Sequence, residues 1–428
     1  MGWEVGEALL VDLYELTMSA SYLAEGVTGE ATYELFFRAL PPVRNYLVAC
    51  GLGQALDYLE SLAFTEEDLA YLRGLGLFGD AFLEHLSRLR FTGTVWAVPE
   101  GEVVFATEPV LRVTAPIIEA QIVETYLLNV INVATSVASK AARVAEACAG
   151  RRFVDFSARR DHGPDAAMIA AWASFAGGAA ATSNVGAGAR WGIPLSGTMA
   201  HSYVMAFAHE EDAFRAFARS FPTPTLLIDT FDTLEGARKA AAVANEGAQV
   251  RGVRLDSGDL ADLSRRVRGI LDEAGQPGIQ IFVSGDMDEY RIAALLGGGA
   301  PIDGFGVGTQ LGTSGDAPAL GGVYKLVEDR SGPKWKASTG KATLPGVKQV
   351  YRWEGKRDLI APARQPPPEG GTPLLEPVMA RGRRLGPDPT LSEVQERCRR
   401  SVAALPARLR SLGPVAPYPV ELSPGFRV

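Results

Sequence analysis

Apolar residues cluster in short runs that alternate with longer amphipathic stretches over the middle of the chain. From Arg152 onward the runs FVDF (153–156), TLLIDT (225–230), VRGVRLD (250–256), IQIFVSGD (279–286) and IDGFGVGT (302–309) read as buried strands, with ATSNV (181–185) as a short one. Between them, 164–178, 199–218, 234–246, 260–275 and 289–299 carry helical spacing. Strand and helix alternate over about 160 residues, the rhythm of βα units and a parallel sheet, open or closed. The fold class is therefore α/β.

On either side the pattern changes. FTGTVWAVPEGEVVFATEPVLRVTA (91–115) breaks β-branched runs with turn signals and predicts a β-rich piece. A long helix is expected over 117–149. Beyond 341 the pattern suggests a hairpin over 343–361, a loop over 365–373, a helix over 391–410 broken at Pro406, and a Pro-rich tail. The domains are expected at 1–115, 116–330 and 331–428.

In the middle region the polar residues collect at strand ends. FVDF is followed by Ser157, Arg159 and Arg160; the next strands end in Asp229, Asp256 and Asp286; the last runs through Gly308 into Thr309. Parallel α/β sheets bind ligands at the carboxyl ends of their strands, so these positions are the candidate site.

Composition narrows the function. The 428 residues carry a net charge of −8 and are 47% hydrophobic and 21% charged, ordinary for a globular protein. An acidic total argues against nucleic-acid or anionic-membrane partners. The three cysteines, Cys50, Cys148 and Cys398, form no CxxC pair, so neither a zinc knuckle nor a disulfide framework is expected. The N-terminus has acidic residues among its apolar ones and reads as no signal peptide, and no run of about 18 apolar residues suggests a membrane span. A cytoplasmic location is expected.

Four segments carry candidate chemistry. LSGTMAHSYVMAF (195–207) leads a Ser-Gly-Thr loop into a helix with His201 in its first turn; helix starts attract anions, although a lone histidine is more often structural. VRLDSGDL (253–260) puts Arg254 and Asp256 on one strand face, either as an ion pair or as an anion-binding Arg beside an Asp for ribose or Mg²⁺. Arg159 and Arg160 are a plausible diphosphate clamp or a solvated basic pair. GFGVGT (304–309) looks like a phosphate-cradling glycine turn but lacks the GK[ST] of a P-loop. Tyr14, in VDLYELTM (11–18), reads alone as a core aromatic on a helix.

Together these segments resemble the nicotinate phosphoribosyltransferase family, the type II phosphoribosyltransferases. The matches are VDLYELTM, ELFFRALP (34–41), PEGEVVFATEPVLRVTAP (99–116), FVDFSARRDHGPDAAM (153–168), SGTMAHS (196–202), LLIDTFDT (226–233), GVRLDSGDL (252–260), FVSGDMDE (282–289) and DGFGVGTQL with LGGVYKLVE (303–328). They follow the family's order across 11–328. The resemblance implies a distorted, incomplete α/β barrel and an N-terminal α/β lobe completed by C-terminal segments. It implies a homodimer with shared active sites. The reaction would join nicotinate to phosphoribosyl pyrophosphate, giving nicotinate mononucleotide and pyrophosphate, coupled to ATP hydrolysis.

By the same resemblance, His201 is the histidine transiently phosphorylated by ATP, and Tyr14 of a neighbouring subunit stacks on the pyridine. Thr198 and Arg254 contact nicotinate. Gly308 and Thr309 hold the 5′-phosphate, and Asp229, Asp256 and Asp286 handle the phosphoribosyl group, Asp256 and Asp286 with Mg²⁺. Arg38 and Arg159 face the diphosphate. The cysteine-rich zinc element of some members is missing, so zinc is not expected. Nicotinamide-using relatives carry an acidic residue where Ser183 stands; an acid would accept the amide and repel a carboxylate, so serine favours nicotinate. The alternatives are a nicotinamide phosphoribosyltransferase and, outside the class, a barrel lyase or aldolase, which would call for a Schiff-base lysine or a metal cluster at the strand ends.

Overall fold

The strand–helix rhythm after Arg152 forms an all-parallel sheet of six strands in the computed structural model, which describes residues 7–337 and 343–426. The order is Ala181–Thr182, Arg152–Asp155, Gly304–Val307, Gln280–Val283, Gly252–Leu255 and Thr225–Leu227. The two outer strands do not pair with each other, so the sheet is a curled half-barrel. Its strands are buried, as parallel strands between two covering layers must be: Val253, Leu255, Ile281, Val283, Phe305 and Val307 are fully enclosed.

Alanine and glycine let the helices come close. Gly236, in the helix Thr233–Asn245, would place a Cβ 2.2 Å from the Ile228 carbonyl oxygen. Each strand end also spends two aspartates differently. Asp232, Asp259 and Asp288 cap the helices Thr233–Asn245, Leu260–Glu273 and Glu289–Gly297 through their side chains. Asp229, Asp256 and Asp286, a few residues earlier, are left for other work.

The chain divides into two compact units, one of residues 137–318 and one joining 1–136 to 319–428. The division falls at Ser136 and Pro318 rather than at the expected 115 and 330. The reason is pairing: strand Gly322–Asp329 runs antiparallel to Glu30–Phe37, which pairs in turn with Pro109–Pro116. That sheet has seven strands and takes in Thr94–Ala97 and Glu376–Ala380. A smaller sheet contains the expected hairpin, Lys348–Trp353 with Arg357–Pro362, and the tail contributes Val420–Leu422 to its edge.

Three local expectations are revised. The helix expected over 199–218 is two, His201–Met205 and Glu210–Ser220, with His209 at the N-cap of the second. TSNV is not a strand beyond Thr182; Asn184 caps a helix, Val185–Trp191, by accepting from the Ala187 amide. The stretch Ile117–Ala147 is long and apolar enough to cross a bilayer, contrary to the sequence reading, but 61% of its most apolar window is buried within the protein, as in a core helix.

Candidate functional site

Four strand ends in the 137–318 unit carry the polar cluster. Because side chains alternate along a strand, Arg254 and Asp256 share a face. Asp229 Oδ2, at the end of the neighbouring strand, accepts from the Asp256 amide and the Ser257 hydroxyl, both at 2.8 Å. On the other side the Ser284 hydroxyl donates to Asp256 Oδ1. Asp256 is therefore held from two neighbouring strands, with its Oδ2 4.0 Å from His201 Nε2. The other imidazole nitrogen, Nδ1, lies 3.1 Å from the Thr230 hydroxyl. The His201 side chain is 39% exposed, so a ligand can reach it.

Arg254 Nη2 donates to the Met199 carbonyl at 3.1 Å, fixing the Thr198–His201 loop against the strand. Its Nε is buried with no protein partner, and Asp229 Oδ1 is likewise unpartnered. Burial lowers the Arg254 pKa; the carboxylates of Asp256 and Asp229 oppose this and the Arg159 charge adds to it. Arg254 thus has Asp256 and Asp229 as neighbouring carboxylates and Arg159 as a neighbouring cation. Thr198 stands in the same loop and Ser183 is exposed just past its strand.

Two turns complete the rim. Gly285 has φ +87° and Asp286 φ +48°, and Arg291 donates to the Gly285 carbonyl at 3.1 Å. A Cβ on Gly285 would sit 1.9 Å from the Asp256 carbonyl oxygen, so the turn exists only with glycine there. Gly308 ends the adjacent strand and starts the short helix Thr309–Gly312, with Thr309 exposed. The glycines before it have a different task. A Cβ on Gly306 would meet the Phe156 ring at 2.5 Å, and one on Gly304 the Phe282 ring at 3.0 Å. The bare strand is a bed for two rings whose centroids are 6.0 Å apart.

The Arg159–Arg160 loop is anchored by a network absent from the sequence reading. Asp155 accepts from the Ser157 amide at 2.9 Å and the Thr182 hydroxyl at 2.7 Å, and the Ser157 hydroxyl donates to Asp161 at 3.0 Å. Burial pushes the Asp161 carboxyl up to about 6, with Asp155 adding to the rise. Ionising Asp161 therefore costs the folded state, so stability falls as pH rises from about 4 to about 6. Asp161→Asn is expected to stabilise the protein by about 1 kcal/mol at pH 8 after allowing for solvent screening. The gain should vanish below about pH 4, and melting curves across that range check it; equal melting at pH 8 would refute it.

A cavity of about 530 Å³ runs from the amino ends of the strands toward Phe156 and the Thr198 loop. It is lined by Arg152, Thr225, Gln280, Phe156, Phe282 and Thr198 among others. Thr198 lines it; His201, Asp256 and Arg254 do not. Tyr14 and Arg38 belong to the other unit. Tyr14 is 45% exposed on the helix Leu13–Ala24, and burial and the nearby Glu124 carboxylate raise its pKa. The Arg38 amide donates to the Gly321 carbonyl at 3.3 Å. Among the described residues no group of three or more His, Cys, Asp or Glu is placed to hold a metal.

Comparison with known proteins puts this geometry in context. Residues 9–132 match the nicotinate phosphoribosyltransferase N-terminal domain and 368–427 the C-terminal domain of the same enzymes. A nicotinate phosphoribosyltransferase of Mycobacterium tuberculosis is 50% identical over 425 residues, covering 97% of this chain and 91% of its own. The chain belongs to the nicotinate phosphoribosyltransferase family. A Bacillus subtilis member is 45% identical over 356 residues, 81% of this chain and 73% of its own. The crystal structure of human nicotinic acid phosphoribosyltransferase superposes with a TM-score of 0.87 at 29% identity, covering 97% of this chain and 98% of its own.

The family resemblance drawn from the motifs thus holds. Asp229, Asp256, Arg254, His201 and Ser284 are joined within one set of strand ends, and Thr198 is on the same loop as His201. Thr230, Ser284, Asp161, Phe156 and Phe282 were not singled out in the sequence. Thr230 and Ser284 had a signal, since each directly adjoins a strand-end residue.

Proposed function

We propose that this protein transfers the phosphoribosyl group of phosphoribosyl pyrophosphate to nicotinate, releasing pyrophosphate. The observation that supports this most is the convergence of His201, Asp256, Asp229 and Arg254 at adjacent strand ends. The pyridine nitrogen attacks the anomeric carbon as the diphosphate departs, and the sugar passes through an oxocarbenium-like state. Asp256 and Asp229 stabilise that positive charge, held by hydrogen bonds that need no rearrangement during the reaction. Arg254 and Thr198 hold the nicotinate carboxylate and so align the nitrogen. Gly308 and Thr309 take the 5′-phosphate; Arg159 and Arg38 take the diphosphate.

Mg²⁺ would be held by the carboxylates of Asp256 and Asp286, as this ion commonly uses one or two protein carboxylates and completes its shell with water and phosphate oxygens. When bound it supplies positive charge to the departing diphosphate. His201 accepts the γ-phosphoryl group of ATP on a ring nitrogen, releasing ADP, and water later returns it as phosphate. The Thr230 contact at Nδ1 orients the ring for this. The reading extends to a homodimer in which Tyr14 reaches the pyridine of the neighbouring site, supported by its exposure. It also has the C-terminal segments complete the N-terminal lobe, supported by the pairing of Glu376–Ala380 with Thr94–Ala97.

Ser183 carries the choice of substrate. A hydroxyl does not repel a carboxylate, so nicotinate is preferred over nicotinamide. Turnover of labelled nicotinate and labelled nicotinamide, each with and without ATP, is the test. Nicotinate should be the better substrate and ATP should raise its turnover. Equal or better use of nicotinamide would overturn the preference, and no mononucleotide from either would overturn the function.

A further inference from the structure

Behind the two rim turns lies a buried charge cluster with no part in the chemistry just described. Lys140, 1% exposed on the long helix Glu124–Ala147, places its ammonium 2.5 Å from Glu289 Oε2 and 2.9 Å from Asp316 Oδ1. One turn further on, Arg143 Nε lies 3.0 Å from Glu289 Oε1, and its Nη2 donates to the Tyr290 hydroxyl at 3.0 Å. The two carboxylates come from different loops. Glu289 opens the helix that follows the Asp286 turn, three residues past Asp286. Asp316 sits in the turn after Thr309–Gly312, where Ser314 has φ +47° and both its hydroxyl and its carbonyl bond Ala317. The strands that feed these loops are parallel neighbours, with Val283 opposite Phe305.

One ammonium therefore ties together the turns that follow two adjacent strands. Stability alone explains this poorly. Buried ion pairs recover their desolvation cost only with good geometry, and apolar residues of similar volume often hold a core as well. What apolar packing does not provide is a fixed register between two particular loops.

We propose that Lys140 is a positioning residue that holds the Asp286 turn and the Gly308–Thr309 turn at one separation. A phosphoribosyl donor is gripped at both ends, ribose by the first turn and 5′-phosphate by the second. A rigid spacing makes the site complementary to the donor as a whole, and the acceptor nicotinate gains nothing from it. The proposal rests on the phosphoribosyltransferase reading of the site.

Asp316→Asn is the sharper probe, because it cuts the tie to the second loop and leaves Lys140 paired with Glu289. Steady-state kinetics should show the KM for phosphoribosyl pyrophosphate raised about tenfold, with the KM for nicotinate within about twofold of wild type. The double variant Lys140→Met, Asp316→Asn removes one charge of each sign and leaves Glu289 paired with Arg143. It should melt near the wild-type temperature and still show the raised donor KM. A donor KM that stays at the wild-type value in both variants, or a nicotinate KM that rises equally, overturns the clamp. A wild-type protein that forms no nicotinate mononucleotide overturns the reading of the site instead, so the two failures are distinguishable.

Discussion

Replacing Gly285 with alanine should lower kcat/KM for nicotinate about 100-fold, the usual effect of moving catalytic groups by about 1 Å. The added methyl carbon would lie 1.9 Å from the Asp256 carbonyl oxygen, far inside contact distance, so one of the two loops must shift. Either shift moves reacting groups. Ser284, one residue before, holds Asp256 by its hydroxyl, and Asp286, one residue after, already sits at φ +48°. The backbone adds strain of its own, because φ +87° costs a non-glycine residue about 1–2 kcal/mol. Gly247→Ala separates the two effects. Gly247 has φ +106° but open space where its Cβ would go, so it pays strain without collision. Thermal melts should show a smaller loss of stability in Gly247→Ala than in Gly285→Ala, and kinetics should show activity lost only in Gly285→Ala. Equal activity in the two would mean that the Asp256 contact does not matter.

His201→Ala should remove the effect of ATP. If the imidazole carries the phosphoryl group, the variant takes no label from radiolabelled ATP. Its nicotinate turnover with ATP should fall to the rate without it. The geometry supports an exposed nitrogen on one side and a fixed one on the other: Nδ1 is engaged by Thr230, while Nε2, 4.0 Å from Asp256, is beyond a hydrogen bond. Asp256 is thus near enough to favour a transient positive charge on the ring without occupying the nitrogen. Unchanged stimulation by ATP in the alanine variant would assign the phosphoryl group to another residue or to none.

The half-barrel was legible because its signals are local. Runs such as VRGVRLD and IQIFVSGD carry strand period and end in aspartate, and the intervening helices carry the 3.6-residue period. The strand-end rule then selects Asp229, Asp256 and Asp286 without any coordinates. The joining of C-terminal segments to the N-terminal lobe came from the resemblance alone, and the place of 319–330 in it was not legible, because pairing of Gly322–Asp329 with Glu30–Phe37 joins residues nearly 300 positions apart. The split at 206–209 was hidden too, since AFAH carries no proline or glycine and continues an acceptable helical pattern. Asp161 escaped notice because its raised pKa depends on burial beside Asp155, which the order of residues does not encode. Gly304 and Gly306 alternate along the strand, while Gly308, past its end, stays with the expected phosphate turn. A period of two within a strand is a facial pattern, and it belonged to the rings of Phe156 and Phe282.

That bare strand couples positions in heredity as well as in space. A methyl group at Gly306 has room only if residue 156 gives up an aromatic ring, and a smaller residue at 156 leaves a furrow that a side chain at 306 could fill. Each change made alone is expected to cost stability, the first by collision with the Phe156 ring at 2.5 Å and the second by lost packing. Mutational libraries that vary one position at a time will therefore record both sites as immovable, while paired libraries will find combinations that single scans miss.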